Sequence, residues 1–285
     1  MSKLALAIAA VMISACSSQK IKSDYPEVKI DKSAAFDLRL KGKHGETGLT
    51  DYHSSSSVED FEGGQKVRDH QEILDFLVST QVTEARENQF TVRTSTVEKD
   101  GSGSLHDYAF PEPGEQIDFI YSIEGKVLKA DPFPKQSIFF LPPISLPPNE
   151  VKIGDTWTMD HTWVSSNDGL PLNLNMVTIF KDVIPCGPFG RCAELEVSGQ
   201  VEMANEKLQR LVDFDSKIWG RLWFSIDRGD VIWSEVRSQD VFKTKQTEMR
   251  VLSCMVSKMR SPSGEKIASD CEPTTKMVAS PNLRF

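Results

Sequence analysis

Apolar and polar residues alternate along most of the chain with a period of two, the spacing of a strand that buries one face. Trp157, Met159, His161 and Trp163 share one side of such a run; Thr158, Asp160 and Thr162 share the other. Ala193, Leu195, Val197, Gly199, Val201 and Met203 alternate with Glu194, Glu196, Ser198, Gln200 and Glu202. Ile218, Gly220, Leu222, Phe224 and Ile226 oppose Trp219, Arg221, Trp223, Ser225 and Asp227. These runs predict an all-β, antiparallel fold. Glu124-Gly125 and Arg228-Gly229-Asp230 fall between runs and read as hairpin turns. Residues 71–82 read two ways. Their apolar cluster suits a helix, whereas Phe76, Val78, Thr80 and Val82 favour a strand that turns at Arg86-Glu87-Asn88 into residues 89–97.

The pattern repeats. Tyr121-Ser122-Ile123-Glu124-Gly125-Lys126-Val127 is echoed by Phe224-Ser225-Ile226-Asp227-Arg228-Gly229-Asp230-Val231, one residue longer at the turn, with an offset of 103 from Ile123 to Ile226. Carried back without a gap, that offset lays Phe76 on Ile179, Phe90 on Ala193 and the turn at 86–88 on Phe189-Gly190-Arg191. Register agreement comes easily between alternating strands, so the matching turns weigh more than the matching apolar positions. Two similar β halves are expected, residues 34–131 and 151–245. The proline-rich stretch 132–150, broken by Pro142-Pro143 and Pro147-Pro148, is a crossover within one domain or a linker between two small ones. Residues 246–285 remain as a C-terminal extension.

Composition narrows the class. Of 285 residues 39% are hydrophobic, enough for a core and against wholesale disorder. A net charge of −8 disfavours a nucleic-acid partner, because phosphate neutralisation needs a basic surface. No apolar run reaches the ~18 residues of a membrane-spanning helix.

Lys3, the apolar residues 4–13 and then Ser14-Ala15-Cys16 have the layout of a secretory signal, too short for a stable span. Ile13-Ser14-Ala15-Cys16 resembles the lipobox of bacterial lipoproteins, with Ile where Leu is commoner. The resemblance implies removal of residues 1–15, a thioether-linked lipid on Cys16 and acylation of the new amino terminus. The plainer alternative is an ordinary signal peptide followed by a chance cysteine. Three acyl chains anchor firmly, since each buried methylene contributes ~0.8 kcal/mol and one chain alone binds marginally. Ser17 stands where an Asp often accompanies retention in the inner membrane, so the family rule points to the outer membrane. Residues 16–33 would be a lipidated, flexible tether carrying a periplasm-facing body.

Four cysteines remain, Cys186, Cys192, Cys254 and Cys271, and permit three pairings. Neighbours are the expected partners. Cys186-Gly-Pro-Phe-Gly-Arg-Cys192 has Gly and Pro where a tight loop turns, and Cys254 and Cys271 flank Ser261-Pro262-Ser263-Gly264. A metal site is the sharper alternative, but no histidine adjoins either pair and no Cys-x-x-Cys spacing occurs.

Pro148-Asn149-Glu150-Val151-Lys152-Ile153-Gly154-Asp155-Thr156-Trp157 resembles a Gly-Asp-x-Trp segment of uncharacterised β-rich outer-membrane lipoproteins. The resemblance extends over residues 51–245 by hydrophobic pattern and leaves out the extension with Cys254 and Cys271. It implies a strongly curved antiparallel sheet or half-barrel, similar in kind to the half-barrels of lipoprotein-carrier proteins. It brings no catalytic residues.

No Gly-x-Ser-x-Gly elbow, His-Glu-x-x-His, phosphate loop or Gly-x-Gly-x-x-Gly occurs, so neither enzyme nor cofactor nor metal is expected. His44, His53, His70, His106 and His161 are scattered. His161, on an apolar strand face between Met159 and Trp163, marks a pocket or a histidine satisfied at a core edge. Asp213 and Asp215 lack the Gly-containing loop of a calcium site and read as a solvated face.

All five tryptophans lie in the second half. Trp219 and Trp223 oppose Leu222 and Phe224, so this strand is apolar on both faces and is either sandwiched or lines a concave site. The plainer reading shields one tryptophan row beneath the crossover, whose Ile138-Phe139-Phe140-Leu141 needs cover. The expected function is a binding or carrier module for a lipid or acyl chain, using Trp219, Trp223, Phe139 and His161. The alternative is a non-catalytic envelope scaffold whose edge strands pair with a protein partner.

Overall fold

A computed structural model describes residues 30–165, 169–204 and 213–261. The signal sequence, Cys16, most of the expected tether and Cys271 lie outside the described residues. Eleven strands build one antiparallel sheet: β1 (Thr47–Glu62), β2 (Gln65–Ala85), β3 (Gln89–Asp100), β4 (Gln116–Ser122), β5 (Val127–Asp131), β6 (Thr156–Val164), β7 (Pro171–Pro185), β8 (Arg191–Met203), β9 (Asp213–Ser225), β10 (Asp230–Lys243) and β11 (Thr247–Met259). Their spatial order is β5-β4-β3-β2-β1-β11-β10-β9-β8-β7-β6. The ambiguous stretch 71–82 is strand, inside β2. The sheet curves without closing into a barrel, and its free edges are β5 and β6. The crossover stands between those edges. Its short 3₁₀ turn, Ile138–Phe140, touches both β5 and β6, and the carbonyl of Gln136 accepts the Val164 N–H at 2.6 Å.

β1–β5 and β6–β10 are two copies of one meander. Ile120 pairs with Lys129 and Tyr121 with Val127, leaving Leu128 as a bulge; Trp223 pairs with Trp233 and Phe224 with Val231, leaving Ile232. The echoed hairpins therefore share their irregularity as well as their residues. Thr83 bulges from β2 beside Val92, and Lys181 bulges from β7 beside Leu195. These bulges set Val82 on Phe180, an offset of 98. The gapless offset of 103 expected for this strand is thus corrected, because the β7–β8 hairpin runs five residues longer between Phe180 and its partner Leu195 than the β2–β3 hairpin does between Val82 and Val92. β1 in turn falls on β6 at an offset of 109, the β1–β2 hairpin being eleven residues longer than the β6–β7 hairpin. The Gly45 and Val82 N–H groups bond the Val82 and Glu46 carbonyls, as those of Gly154 and Phe180 bond the Phe180 and Asp155 carbonyls. Lys43-His44-Gly45-Glu46-Thr47 is thus the first half's copy of Lys152-Ile153-Gly154-Asp155-Thr156.

The segment expected as an extension supplies β11, which pairs with β1 on one side and β10 on the other and joins the two halves. Cys186 and Cys192 are bridged, with an S–S distance of 2.04 Å, across the β7–β8 hairpin. Cys254 is buried in β11; its expected partner Cys271 lies outside the described residues.

One end of the curved sheet is packed solid. Residues 34–46 run across it as a strap: Phe36 bridges to Val151, the Leu40 N–H bonds the Ile123 carbonyl and the Lys41 N–H bonds the Gly229 carbonyl. Phe36, Leu38 and Leu40 are buried there against Val82, Phe90, Phe180, Leu195, Leu222 and Phe224. Leu38 alone, with no exposed surface, would lose roughly 2–5 kcal/mol of stabilisation on truncation to Ala.

The halves bend differently. In the first, Thr96 and Ile117 fill inward positions and are buried. Their counterparts by register are Gly199 and Gly220. A Cβ on Gly199 would overlap the Asn175 carbonyl oxygen and lie 3.0 Å from the Met176 Cα; one on Gly220 would overlap the Glu235 carbonyl oxygen and lie 3.0 Å from the Val236 Cα. Only residues without a side chain allow β8 and β9 to fold so closely over β7 and β10, and the second half is creased there.

Candidate functional site

Register and burial identify the concave face. It carries Leu222 and Phe224 of β9, Leu195 and Val197 of β8, and Leu174 and Phe180 of β7, all buried. Around the middle of the sheet the same face presents serines in cross-strand pairs. Ser56 Oγ lies 3.0 Å from Ser253 Oγ, and Ser234 Oγ lies 2.6 Å from Ser257 Oγ. The Ser54–Ser57 run is therefore strand, with two hydroxyls turned inward.

In the first half this face is filled by the chain itself. The connection between β3 and β4, residues 101–115, folds over it and buries Leu105 against Leu74, Phe76 and Val78. Tyr52 stacks on Phe76 at 4.7 Å, Phe110 tilts onto Tyr52 at 4.7 Å, and the Tyr108 hydroxyl lies 3.1 Å from Ser54 Oγ.

The second half is built with less. Tyr52, Phe76, Val78 and Thr96 are matched in register by His161, Leu174, Met176 and Gly199. Trp163, Leu174 and Val201 are buried, partly by Ile138 and Leu141 of the crossover, while Met159, Met176, Phe214 and Ile218 remain only partly buried. The lining continues through Phe242, stacked on Phe214 at 4.6 Å, to Met249, Val251 and Met255 of β11, with Ser216 and Asp240 between them on the same face. The result is an apolar trough, rich in flexible methionine.

Few charges reach this interior. Burial pushes the Asp230 carboxyl up to about 6, against the opposing pull of the Arg228 cation and the Val231 N–H. Burial, with the nearby Asp230 charge, holds the phenols of Tyr52 and Tyr121 above their ordinary range. Burial also raises Asp240, against hydrogen bonds from Ser216 and Ser238. At the trough, burial alone lowers His161, whose Nε2 is buried and finds no hydrogen-bond partner among the described residues.

The four residues expected to bind a ligand are not brought together. Trp219 and Trp223 occupy the convex face of β9. Trp223 lies 4.9 Å from Trp233 and packs with Phe189, Cys186 and Cys192, so it covers the disulfide hairpin. Phe139 is core, buried on Ile117, Phe119 and Ala130 and stacked on Phe133 at 3.5 Å. His161 alone faces the trough. The remaining lining residues escaped sequence reading because alternation marks two faces without saying which is concave. The signal that finds them is the comparison of the halves.

Elsewhere, a groove of about 430 Å³ on the convex side brings Asp51, His53, Asp75, Glu98 and Asp100 together. Its charges are largely compensated: Arg260 binds Asp51 through both carboxylate oxygens, and His53 Nδ1 lies 2.7 Å from Asp75. Among the described residues no cluster of His, Cys, Asp and Glu could hold a metal ion.

No family model matches the chain, and no curated protein sequence matches it. Solved structures with some likeness are an outer membrane channel from Pseudomonas putida F1 (9% identity, TM-score 0.22, covering 82% of this chain and 100% of that one) and Ail, the attachment invasion locus protein of Yersinia pestis (7% identity, TM-score 0.18, covering 76% and 99%). At such scores these two carry no argument about what the chain does.

Proposed function

We propose that this chain is a lipid-anchored outer-membrane lipoprotein whose body binds an apolar ligand, a lipid or acyl chain, in the trough of its second half. It is a binding module and not an enzyme. One observation carries the reading: at matched positions the first half places Tyr52, Phe76, Val78 and Thr96 on its concave face, with Tyr108 and Phe110 of the β3–β4 connection packed over them, whereas the second half offers His161, Leu174, Met176 and Gly199. Partly buried methionines and Phe214 on a concave surface suit a long, flexible apolar guest. The strap at 34–46 leads from the expected tether into the packed end, so the anchor and the trough do not compete for the same surface.

The test uses protein carrying Cys16→Ser, purified without detergent, and a fluorescent fatty-acid probe. Native trough residues should take up the probe. Ile218→Asp, which places a charge on the trough wall, should weaken uptake at least tenfold with a melting temperature near that of the parent. Trp219→Ala, on the opposite face, should bind like the parent. A parent protein that takes up no probe, or binding lost in Trp219→Ala and kept in Ile218→Asp, overturns the reading.

A further inference from the structure

His161 sits at the register position that Tyr52 holds in the first half: Tyr52 pairs with Phe76 where His161 pairs with Leu174. In the first half the filling segment is apolar but not wholly so. It lays Phe110 on Tyr52 and brings one hydroxyl, that of Tyr108, to Ser54 on the same concave face. In the second half the imidazole projects between Met159 and Trp163, and its Nε2 is buried without a hydrogen-bond partner among the described residues. A buried ring nitrogen left unpaired is costly, and a binding site built around one discriminates sharply for a guest that completes it.

We propose that His161 is a specificity-determining residue that reads a single uncharged hydroxyl on the apolar ligand, so that the ligand class is a long-chain alcohol or a hydroxyl-bearing lipid, not a bare hydrocarbon chain. This rests on the trough being the binding site. A neutral imidazole offers one donor and one acceptor, and a hydroxyl answers either. A carboxylate would instead bring an unpaired charge against Met159, Leu174 and Trp163, whose surroundings hold no cation to meet it among the hydrogen bonds and ion pairs of β6 and β7 that are described.

The experiment is displacement of N-phenyl-1-naphthylamine from the Cys16→Ser protein by two competitors of matched length, hexadecan-1-ol and heptadecane, which has a methyl group in place of the hydroxyl. The parent should prefer the alcohol by about tenfold, equivalent to ~1.4 kcal/mol. His161→Leu should still take up the dye but treat both competitors alike, and His161→Gln, which keeps a donor and an acceptor, should restore part of the preference. If the parent binds the dye and both competitors equally, or His161→Leu keeps the preference, His161 does not read the ligand and only this inference falls. If the parent does not bind the dye at all, the trough reading falls, and this inference with it.

Discussion

The crease at Gly199 and Gly220 can be tested quantitatively. At an ordinary site Gly→Ala stabilises a protein by about 0.4–1 kcal/mol, because the unfolded chain loses freedom. Here the added methyl meets main-chain atoms of the adjoining strand, Asn175 and Met176 in one case and Glu235 and Val236 in the other. A side chain could rotate away; a paired strand can yield only by flattening the bend. Overpacking of that kind costs about 1–3 kcal/mol, so the sign reverses and each variant should be less stable by about 1–2 kcal/mol net. Gly103→Ala is the control, since its methyl would approach only the Leu74 side chain, at 3.3 Å. Urea denaturation reads the result as a lowered midpoint at unchanged slope for Gly199→Ala and Gly220→Ala, and a midpoint at or above the parent's for Gly103→Ala. Flattening should also splay Met176 from Ile218 and weaken uptake of the fatty-acid probe. A Gly220→Ala protein as stable as its parent would refute the claim that these glycines set the curvature.

Two other outcomes follow from the residues described. Cys16→Ser should leave the body folded and move it from the membrane to the soluble fraction; a variant that withstands a carbonate wash on the membrane would disprove lipid anchoring through Cys16. Asp230→Asn keeps an acceptor for the Val231 N–H while removing the charge. The folded carboxyl titrates near 6 and the unfolded one near 4, so the native protein binds the proton more tightly and loses stability as pH rises from about 4 to 6. Melting curves should therefore show Asp230→Asn gaining on the parent across that range, with the gain constant above it and absent below; a difference independent of pH would contradict the assignment.

Much of the architecture could be read from the chain because hairpins are local. The alternation of β6, β8 and β9, the turns at 124–125 and 228–230 and the bridged loop at 186–192 each sit within one stretch of sequence. What could not be read depends on distant partners. Nothing in 247–259 announces that it pairs with β1, and the copy of the Gly-Asp turn at Gly45-Glu46 is hidden by the unequal lengths of the paired hairpins, β1–β2 against β6–β7 and β2–β3 against β7–β8, which break the offset twice. Trp219 and Trp223 misled for a simpler reason: aromatic residues on both faces of a strand serve as well to cover a hairpin on the convex side as to line a cavity. His161 was visible as an oddity on an apolar face; its meaning came only from the residue opposite it in the other half.

β11 also governs the order in which this molecule can be assembled. Every other neighbouring pair of strands is consecutive in sequence and can zip up soon after it is made, but Thr50 must find Met259 across most of the chain. Such long-range closure is slow compared with hairpin formation. Until the last strand arrives, β1 and β10 each present a long row of unsatisfied main-chain groups, the kind of edge that recruits other chains. The hazard lasts as long as β11 is missing, and only its insertion between β1 and β10 removes it.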